Sequence, residues 1–348
     1  MYKKLLVTFF LFVFILFTFI GVIVIVIDPF QYYRKASFYL PVFNKSDYLT
    51  PGLVKNYDFD SIILGSSMVE NFKLSDVSNI EGFRKPIKFS LPGAHAKNMK
   101  IFADLAFNEK NITSVLIGLD IFALEGGPDS LVNGQDSLPE YLYDDNFLND
   151  YKYIFNIDTL AECIRPFAYM KMKGPNANVF NYNIMFHNNI SDAYFDVSVP
   201  MNSYNSRVYT PAIDTNKTNE LIQSFKQNIM PMIQENSDTK FVIFYPPYAI
   251  LTFKHQDREG NFKSYNKAKL EINSLLIRYK NVQVFDFQVA KDITHNLHHY
   301  RDFSHYSYEI NTLITEMIRE GSYLVTKDTV DKNYKLLEQQ KNDYIIKN

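Results

Sequence analysis

Five short apolar runs that alternate with stretches of helical periodicity constrain the fold of this chain most strongly. The runs are Ser61–Leu64, Pro86–Leu91, Ser114–Asp120, Lys240–Tyr245 and Asn281–Phe287. Short apolar runs that end at glycine, proline or polar residues are typical of buried strands. Because strands separated by helices usually pair in parallel, the sequence predicts an α/β fold. The expected form is a three-layer α/β/α sandwich around a mostly parallel five-stranded sheet.

The predicted domain spans residues 61–322 and contains one long irregular stretch, at residues 125–215. We interpret that stretch as an insertion after the third strand. It either covers the sheet edge as a lid or substrate wall, or it is a surface insertion without a role in binding. Residues 323–348 are expected to form a charged, exposed helical tail. Further helices are predicted directly after Ser67 and over Asn98–Phe107, Tyr151–Lys171, Asn219–Glu235, Ser264–Tyr279, Ser307–Glu320 and Thr329–Gln340.

The N-terminal segment is long and apolar enough to cross a membrane. From Leu5 to Ile27 every residue except two threonines is apolar or glycine. About 23 residues at about 1.5 Å rise each span a hydrocarbon core of about 30 Å. A cleaved signal peptide is the alternative, but its apolar region is shorter and ends in small residues. We therefore predict a transmembrane anchor at residues 5–27 and a juxtamembrane segment at residues 28–60.

Basic residues beside the anchor indicate its orientation. Lys3 and Lys4 precede it, so the positive-inside bias places residues 1–4 in the cytoplasm and the rest of the chain outside. Arg34 and Lys35 follow the anchor, so the difference in positive charge between its two ends is small. The expected location is the cell membrane, with a single pass and an extracytoplasmic domain.

Composition excludes several classes of function. With 348 residues, of which 47% are hydrophobic, the chain can bury a full core. A net charge of -2 provides no electrostatic footprint for nucleic acid, so no nucleic-acid partner is expected. Cys163 is the sole cysteine, which rules out an intramolecular disulfide and a multi-cysteine zinc site. No cofactor is predicted.

The first strand ends at Gly65, Ser66 and Ser67, a pattern that favours an exposed nucleophile. A serine at the carboxyl end of a parallel strand lies above the sheet, where amide N–H groups of the next turn can stabilise developing negative charge. The alternative is a capping box, in which Ser67 caps a helix and Glu70 reaches back to it. Both interpretations fit these residue types.

A nucleophilic serine needs a base, and Asp302 and His305 are the best candidates. A carboxylate three residues before an imidazole can orient it from the same loop. The other histidines are weaker candidates. His295, His298 and His299 have metal-like spacing but no nearby carboxylate in a fixed geometry, and His95 follows the second strand. We expect these histidines to be loop residues and predict no metal site.

These residues together resemble the SGNH (GDSL-like) hydrolase superfamily, over about Ser61–Arg319. They are most similar to its membrane-anchored envelope branch, which includes the teichoic acid D-alanyl transfer protein and alginate O-acetylation proteins. The resemblance implies that Ser67 is the nucleophile, that Asp302 and His305 complete its triad, and that Gly93 lends an oxyanion amide. The departure is Asp120, which stands at an asparagine position of the family. An ionised carboxylate cannot donate a hydrogen bond, and losing one oxyanion donor can cost about 10²- to 10³-fold in rate.

We therefore expect a membrane-anchored serine acyl-esterase or acyltransferase. Its partners would be an acylated envelope glycan or exported polymer and, for transfer, an integral membrane O-acyltransferase that supplies the acyl group. The competing hypothesis is a catalytically inactive envelope scaffold or polymer-binding protein of the same fold. Asp120 and the capping-box interpretation favour that alternative.

Overall fold

A computed structural model describes residues 2–134, 138–187, 195–207 and 217–346. The chain divides into two compact units. Unit 1 comprises Met1–Asp58 and Leu138–Phe186, and unit 2 comprises Phe59–Ser137 and His187–Asn348. Three parts of the predicted insertion, residues 135–137, 188–194 and 208–215, lie outside the described residues.

Unit 2 is built around a five-stranded sheet. The strands are β1 (Ser61–Gly65), β2 (Pro86–Ser90), β3 (Ser114–Gly118), β4 (Lys240–Tyr245) and β5 (Val282–Asp286). Their spatial order is β2-β1-β3-β4-β5, and all four pairings are parallel, so the predicted α/β class and the five-stranded parallel sheet are confirmed. The first three strands are buried along their whole length, which explains why they are mostly apolar in the sequence, with Lys88 in β2 as the charged exception.

The α-helices of the described residues lie in both units. In chain order they are α1 (Tyr2–Ile27), α2 (Ser46–Asn56), α3 (Leu74–Val77), α4 (Ala96–Glu109), α5 (Tyr151–Ile154), α6 (Ile157–Lys173), α7 (Ser198–Ser206), α8 (Lys217–Asn228), α9 (Met230–Glu235), α10 (Ile250–Arg258), α11 (Phe262–Leu276), α12 (Lys291–Thr294), α13 (Tyr308–Glu320) and α14 (Val330–Asp343).

Three helical segments differ from the sequence-based prediction. The helix expected directly after Ser67 is a short 3₁₀ turn, Ser67–Val69, and an α-helix begins only at α3. The helix expected over Tyr151–Lys171 is split into α5 and α6, because Asn156 caps a new helix with its side chain. The helix expected over Asn219–Glu235 is likewise two helices, since a proline at the start of α9 has no N–H to continue α8.

Unit 1 contains the apolar N-terminal helix. The predicted helix is confirmed: α1 has a mean hydropathy of 3.3 in its most apolar window and is long enough to cross a membrane. The stretch after α1, predicted to lack clear periodicity, contains α2. At the end of α1, the Asp28 carboxylate accepts hydrogen bonds from the backbone N–H groups of Tyr32 and Tyr33 and from the Tyr153 hydroxyl. These bonds connect the helix end to α5.

The C-terminal helix is less exposed than its charged sequence indicates. We expected the tail to lie on the surface, but α14 buries Val330 and Leu337. The Gln340 side chain donates to the carbonyl of Val289, and Lys341 forms an ion pair with Asp257 at 2.8 Å. One face of α14 is therefore part of the fold of unit 2.

Candidate active site

Two glycines on neighbouring strands allow the turn after β1 to fold back onto the sheet. Gly65 at the end of β1 is the register partner of Gly118 at the end of β3. A Cβ atom would lie 2.8 Å from Val69 Cγ1 if placed on Gly65, and 2.5 Å if placed on Gly118. Neither position tolerates a side chain, because Val69 packs over both strand ends. This packing holds the 3₁₀ turn, and Ser67 with it, against the carboxyl edge of the sheet.

Side chains from distant parts of unit 2 hold the peptide groups of this turn. The Ser66 hydroxyl accepts from the Met68 N–H at 3.3 Å, so Ser66, not Ser67, caps the turn, and the capping-box interpretation of Ser67 is wrong. The Met68 carbonyl accepts from the Tyr306 hydroxyl at 3.1 Å and from the Asn311 amide at 3.3 Å. Since Tyr306 directly follows His305, its hydrogen bond connects the Ser67–Val69 turn to the loop that carries His305.

A buried lysine completes the support of the turn. Lys88 lies in β2 and is fully buried. Its ammonium donates to the carbonyl of Glu70 and, at 2.7 Å, to that of Phe72. These carbonyls lie between the 3₁₀ turn and α3, where the chain is not helical and supplies no N–H donors of a following helical turn. Lys88 therefore acts as a cap for the segment that leaves the Ser67 turn.

The structure brings Ser67, His305 and Asp302 into one hydrogen-bonded chain. Ser67 Oγ lies 2.8 Å from His305 Nε2, and His305 Nδ1 lies 2.8 Å from Asp302 Oδ2. The other oxygen of Asp302 accepts from the backbone N–H groups of Ser304 and His305, both at 2.7 Å. With Nδ1–H donated to the carboxylate, Nε2 is left to accept the serine proton. This is the arrangement that general-base activation of a serine requires.

The loop that carries Asp302 and His305 is attached to the segment after β4. The Tyr300 hydroxyl donates to the Pro247 carbonyl at 2.5 Å, and the Thr252 hydroxyl donates to the Phe303 carbonyl. Tyr300 and Tyr306 also form an antiparallel bridge that closes the loop. The imidazole is thus positioned by backbone and side-chain contacts on both sides.

The charge of Asp302 is maintained by its partners. Burial acts to raise its pKa, but the hydrogen bond and charge of His305 and the two backbone N–H groups outweigh it and lower the pKa to about 2. The carboxylate is therefore ionised at neutral pH. An ionised orienting group stabilises the imidazolium that forms when His305 takes the serine proton.

A cavity of about 340 Å³ opens beside Ser67 and His305. Its lining includes Gly93 and Ala94 after β2, Phe122 and Ala123 after β3, and Tyr248 after β4. In the described part of the chain, the N–H groups of Ser67 and Gly93 donate to no protein atom. Gly93 has φ +71°, a left-handed conformation that favours glycine. Both free N–H groups are candidate donors to an oxyanion formed in the cavity.

Asp120 lines the same cavity but is an acceptor at both oxygens. Ser66 donates to Oδ2 and the Tyr248 hydroxyl donates to Oδ1. Burial raises the pKa of Asp120, and the two hydrogen bonds oppose that shift. Asp120 therefore closes a buried network with Ser66 and Tyr248. With both oxygens accepting from hydroxyl groups, Asp120 presents no donor toward the cavity.

Glu70 is a second carboxyl group close to the histidine. Together with Arg301, His305 and Asn311 it lines a space large enough for about one water molecule. Burial raises the pKa of Glu70 to about 7, although the nearby charge of Lys88 lowers it. Burial likewise lowers the pKa of Lys88 to about 7, against the charge of Glu70. Glu70 thus changes charge near neutral pH without being part of the Ser67 chain.

The remaining candidate residues have local roles. His95 lines the cavity at the start of α4, where its N–H donates to Asn98 Oδ1 at 3.0 Å. His295 Nδ1 lies 2.9 Å from the Thr294 hydroxyl, and His299 Nε2 lies 3.0 Å from the Asn296 amide. Among the residues that the structure describes, no group of three or more His, Cys, Asp or Glu side chains is arranged to hold a metal ion.

The sequence did not reveal the roles of Lys88, Tyr306 and Tyr248 in this site. Tyr245 and Tyr248 flank the two prolines after β4, a position at which the sequence suggests a pocket wall. Tyr248 lines the cavity, whereas Tyr245 is fully buried and its hydroxyl donates to Asn273 at 2.9 Å. No protein-family model matches this chain, and no curated protein matches it significantly. The interpretation of the site therefore depends on its geometry.

Proposed function

We propose that this chain is a membrane-anchored serine acyl-esterase or acyltransferase that acts on an exported envelope glycan or polymer. The observation that carries the proposal is the chain of hydrogen bonds from Ser67 through His305 to Asp302, beside a cavity of about 340 Å³. A serine hydroxyl aligned with the free nitrogen of an oriented imidazole is the arrangement needed for nucleophilic attack on an ester.

In the proposed reaction, Ser67 Oγ attacks the acyl carbonyl carbon while His305 Nε2 takes the serine proton. The tetrahedral oxyanion accepts hydrogen bonds from the N–H groups of Ser67 and Gly93. When the bond to the leaving alcohol breaks, His305 returns the proton to the alcohol oxygen and an acyl-serine remains. Water or a carbohydrate hydroxyl then attacks this ester and gives its proton to His305, which passes it to Ser67 Oγ as the acyl–Oγ bond breaks and the acid or acylated carbohydrate leaves.

We assign the domain to the SGNH (GDSL-like) type and its layers to an α/β/α sandwich. Support comes from the order of the functional positions along the sheet: Ser67 follows β1, Gly93 follows β2, Asp120 follows β3, and the Asp302 loop precedes α13. Under this assignment the oxyanion hole has two backbone donors, since Asp120 accepts from Ser66 and Tyr248.

A tether favours acyl transfer over hydrolysis of soluble esters. We propose that α1 is a retained anchor with the domain outside the cytoplasm, and that an integral membrane O-acyltransferase supplies the acyl group. A tethered enzyme meets a membrane-delivered donor at a high effective concentration, whereas a hydrolase of soluble esters gains nothing from the membrane. A reactive donor ester also requires less oxyanion stabilisation.

The competing proposal is a non-catalytic scaffold that binds polymer or partner proteins. The observation in its favour is Asp120, which takes up a family donor position without a donor of its own. Two oxyanion N–H groups are enough for catalysis in serine hydrolases, so an enzyme can function without a donor at position 120.

A fluorophosphonate probe distinguishes the two proposals on the full chain in detergent. An activated serine reacts with the probe, so we expect labelling that Ser67→Ala abolishes and that Ser66→Ala retains. The adjacent serine is a matched control, because it is buried and bonded to Asp120. Absence of labelling in the folded wild-type protein, or equal loss in both variants, would refute the enzyme proposal.

A further inference from the structure

Helix α6 in unit 1 has an apolar face that is exposed to solvent. Its buried residues are Thr159, Glu162, Cys163 and Pro166, which share one side of the helix. At 3.6 residues per turn, the opposite side consists of Ile157, Leu160, Ala161, Ile164, Phe167, Ala168, Lys171 and Met172, which we call the α6 outer face. Ile157 is 80% exposed, Ile164 66% and Met172 69%. Lys171, near the helix end, is the one charged residue of this face.

This pattern is the reverse of an ordinary surface helix. The inward side of α6 contains an ion-pair cluster in which Glu162 lies 3.0 Å from Lys45 and 2.7 Å from Arg165. The side that faces away from the protein is apolar. In a protein surrounded by water the polar residues would lie outside, and exposed apolar patches of this size mark an interaction surface.

The α6 outer face continues onto α1 through the turn between α5 and α6. The rings of Phe155 and Phe17 are 5.5 Å apart, and a Cβ on Gly21 would lie 3.4 Å from Ile154. Phe17 lies ten residues before Ile27, which is about 15 Å along the helix. The α5–α6 turn therefore contacts α1 well inside its apolar length. Phe147, Leu148 and Tyr151, which precede the turn in the chain, are also exposed.

We infer that α5 and α6 form a lipid-embedded element that packs against the carboxyl-terminal half of α1. The occupant of the α6 outer face is the acyl-chain region of the bilayer. The argument is continuity: the exposed side chains of α1 need a hydrocarbon environment, and Ile154 and Phe155, just before the α6 outer face, lie against the same stretch of helix. Lys171 and Lys173, at the far end of α6, are placed to reach lipid phosphates.

The absence of tryptophan from the chain provides a direct test. We suggest single-tryptophan variants of the full chain, reconstituted in lipid nanodiscs at one chain per disc, with and without brominated acyl chains. Ile164→Trp and Ile157→Trp report on the α6 outer face. Val22→Trp, on an exposed position of α1, is the positive control, and Glu140→Trp, at an exposed polar position of unit 1, is the matched negative control.

We expect bromine to reduce the fluorescence of Ile164→Trp and Ile157→Trp about as much as that of Val22→Trp, and several times more than that of Glu140→Trp. Quenching should be stronger at residue 157 than at residue 164, because the α5–α6 turn lies against Phe17. Quenching at residue 164 no greater than at residue 140 would refute the proposal. If Ile164→Cys then crosslinks between copies in larger vesicles, the face is a contact between two chains and not a lipid surface.

Discussion

Ser66 and Ser67 are neighbours, yet each begins a different hydroxyl–carboxylate network. Ser67 leads through His305 to Asp302, whose side chains are 31% and 34% exposed. Ser66 donates directly to Asp120, which also accepts from Tyr248, and all three are buried. The first network contains an imidazole, which can accept a serine proton and return it to a substrate. The second joins two hydroxyls to one buried carboxylate and contains no imidazole.

The difference arises from backbone position. Ser66 is the extended residue that caps the turn, with φ -83° and ψ -157°, so its hydroxyl turns back toward the Met68 N–H and Asp120. Ser67 is the first residue of the turn itself, and its hydroxyl reaches the cavity. A change of one position along the chain thus separates the serine that caps the turn from the serine that we propose as the nucleophile. This comparison can be tested by changing one network at a time.

The largest effect is expected from the reactive network. Ser67→Ala or His305→Ala should each reduce the turnover of an activated acetate ester by roughly 10⁴- to 10⁶-fold, because each removes the nucleophile or its base. The double variant should be little worse than either single variant, since the two residues act as one unit. Steady-state kinetics on the purified full chain measure these losses. A fully active His305→Ala protein would show that the 2.8 Å contact has no catalytic role.

Asp302→Asn should have the next largest effect. An asparagine cannot hold the imidazole in the tautomer that leaves Nε2 free, so we expect a loss of about 10³- to 10⁴-fold in turnover. Between pH 5 and 8 the wild-type carboxylate stays ionised, since the pKa of Asp302 is lowered to about 2. Turnover by Asp302→Asn close to that of the wild type across this range would contradict the assignment.

The strands of the sheet could be predicted from the sequence, whereas the turn at its carboxyl edge could not. Each strand lies in a short, mostly apolar run bounded by helical stretches, so the sheet was predictable even though Lys88 interrupts β2 and Gln283 interrupts β5. The helix expected after Ser67 was wrong because Val69 and Phe72 are apolar for a different reason. Val69 packs the turn onto two glycines and Phe72 packs against Phe244, and their spacing imitates a helix.

Within the site, the sequence indicated the residues whose side chains have distinctive chemistry. It could not indicate the residues that only hold other groups in place. Asp302 and His305 are three residues apart, so their mutual geometry is local. Lys88, Tyr306 and Tyr248 support the turn or Asp120 across long sequence separations. For a lysine in a buried strand, the sequence does not indicate whether the ammonium group donates to backbone carbonyls or forms an ion pair.

Disruption of the buried network should affect stability more than catalysis. Ser66→Ala removes one donor to Asp120 and the acceptor of the Met68 N–H, so we expect unfolding free energy to fall by roughly 1–3 kcal/mol. Turnover should fall by less than about tenfold. Tyr248→Phe should behave similarly, and the double variant should be non-additive because both hydroxyls serve one carboxylate. Urea denaturation and ester kinetics on the same samples test both statements, and a loss of turnover equal to that of Ser67→Ala would remove the distinction between the networks.

The smallest effect on turnover is expected at Glu70, which lies beside His305 but outside both networks. Burial raises its pKa from 4.5 to about 7, so between these pH values the folded protein holds a proton that the unfolded chain has lost. Stability should therefore fall as pH rises through this window, by at most about 1.4 kcal/mol per pH unit for one proton.

Lys88 has the opposite effect above that window. Burial lowers its pKa from 10.5 to about 7, so the unfolded chain there holds the extra proton and stability should rise with pH. The wild-type protein should thus be least stable near pH 7. In Glu70→Gln the fall in stability below pH 7 should disappear. The rise in stability should remain but begin at lower pH, because the Glu70 carboxylate no longer stabilises the Lys88 charge. Chemical denaturation across this pH range measures both branches, and turnover should change less than about threefold. An unchanged fall in Glu70→Gln would assign it to another group.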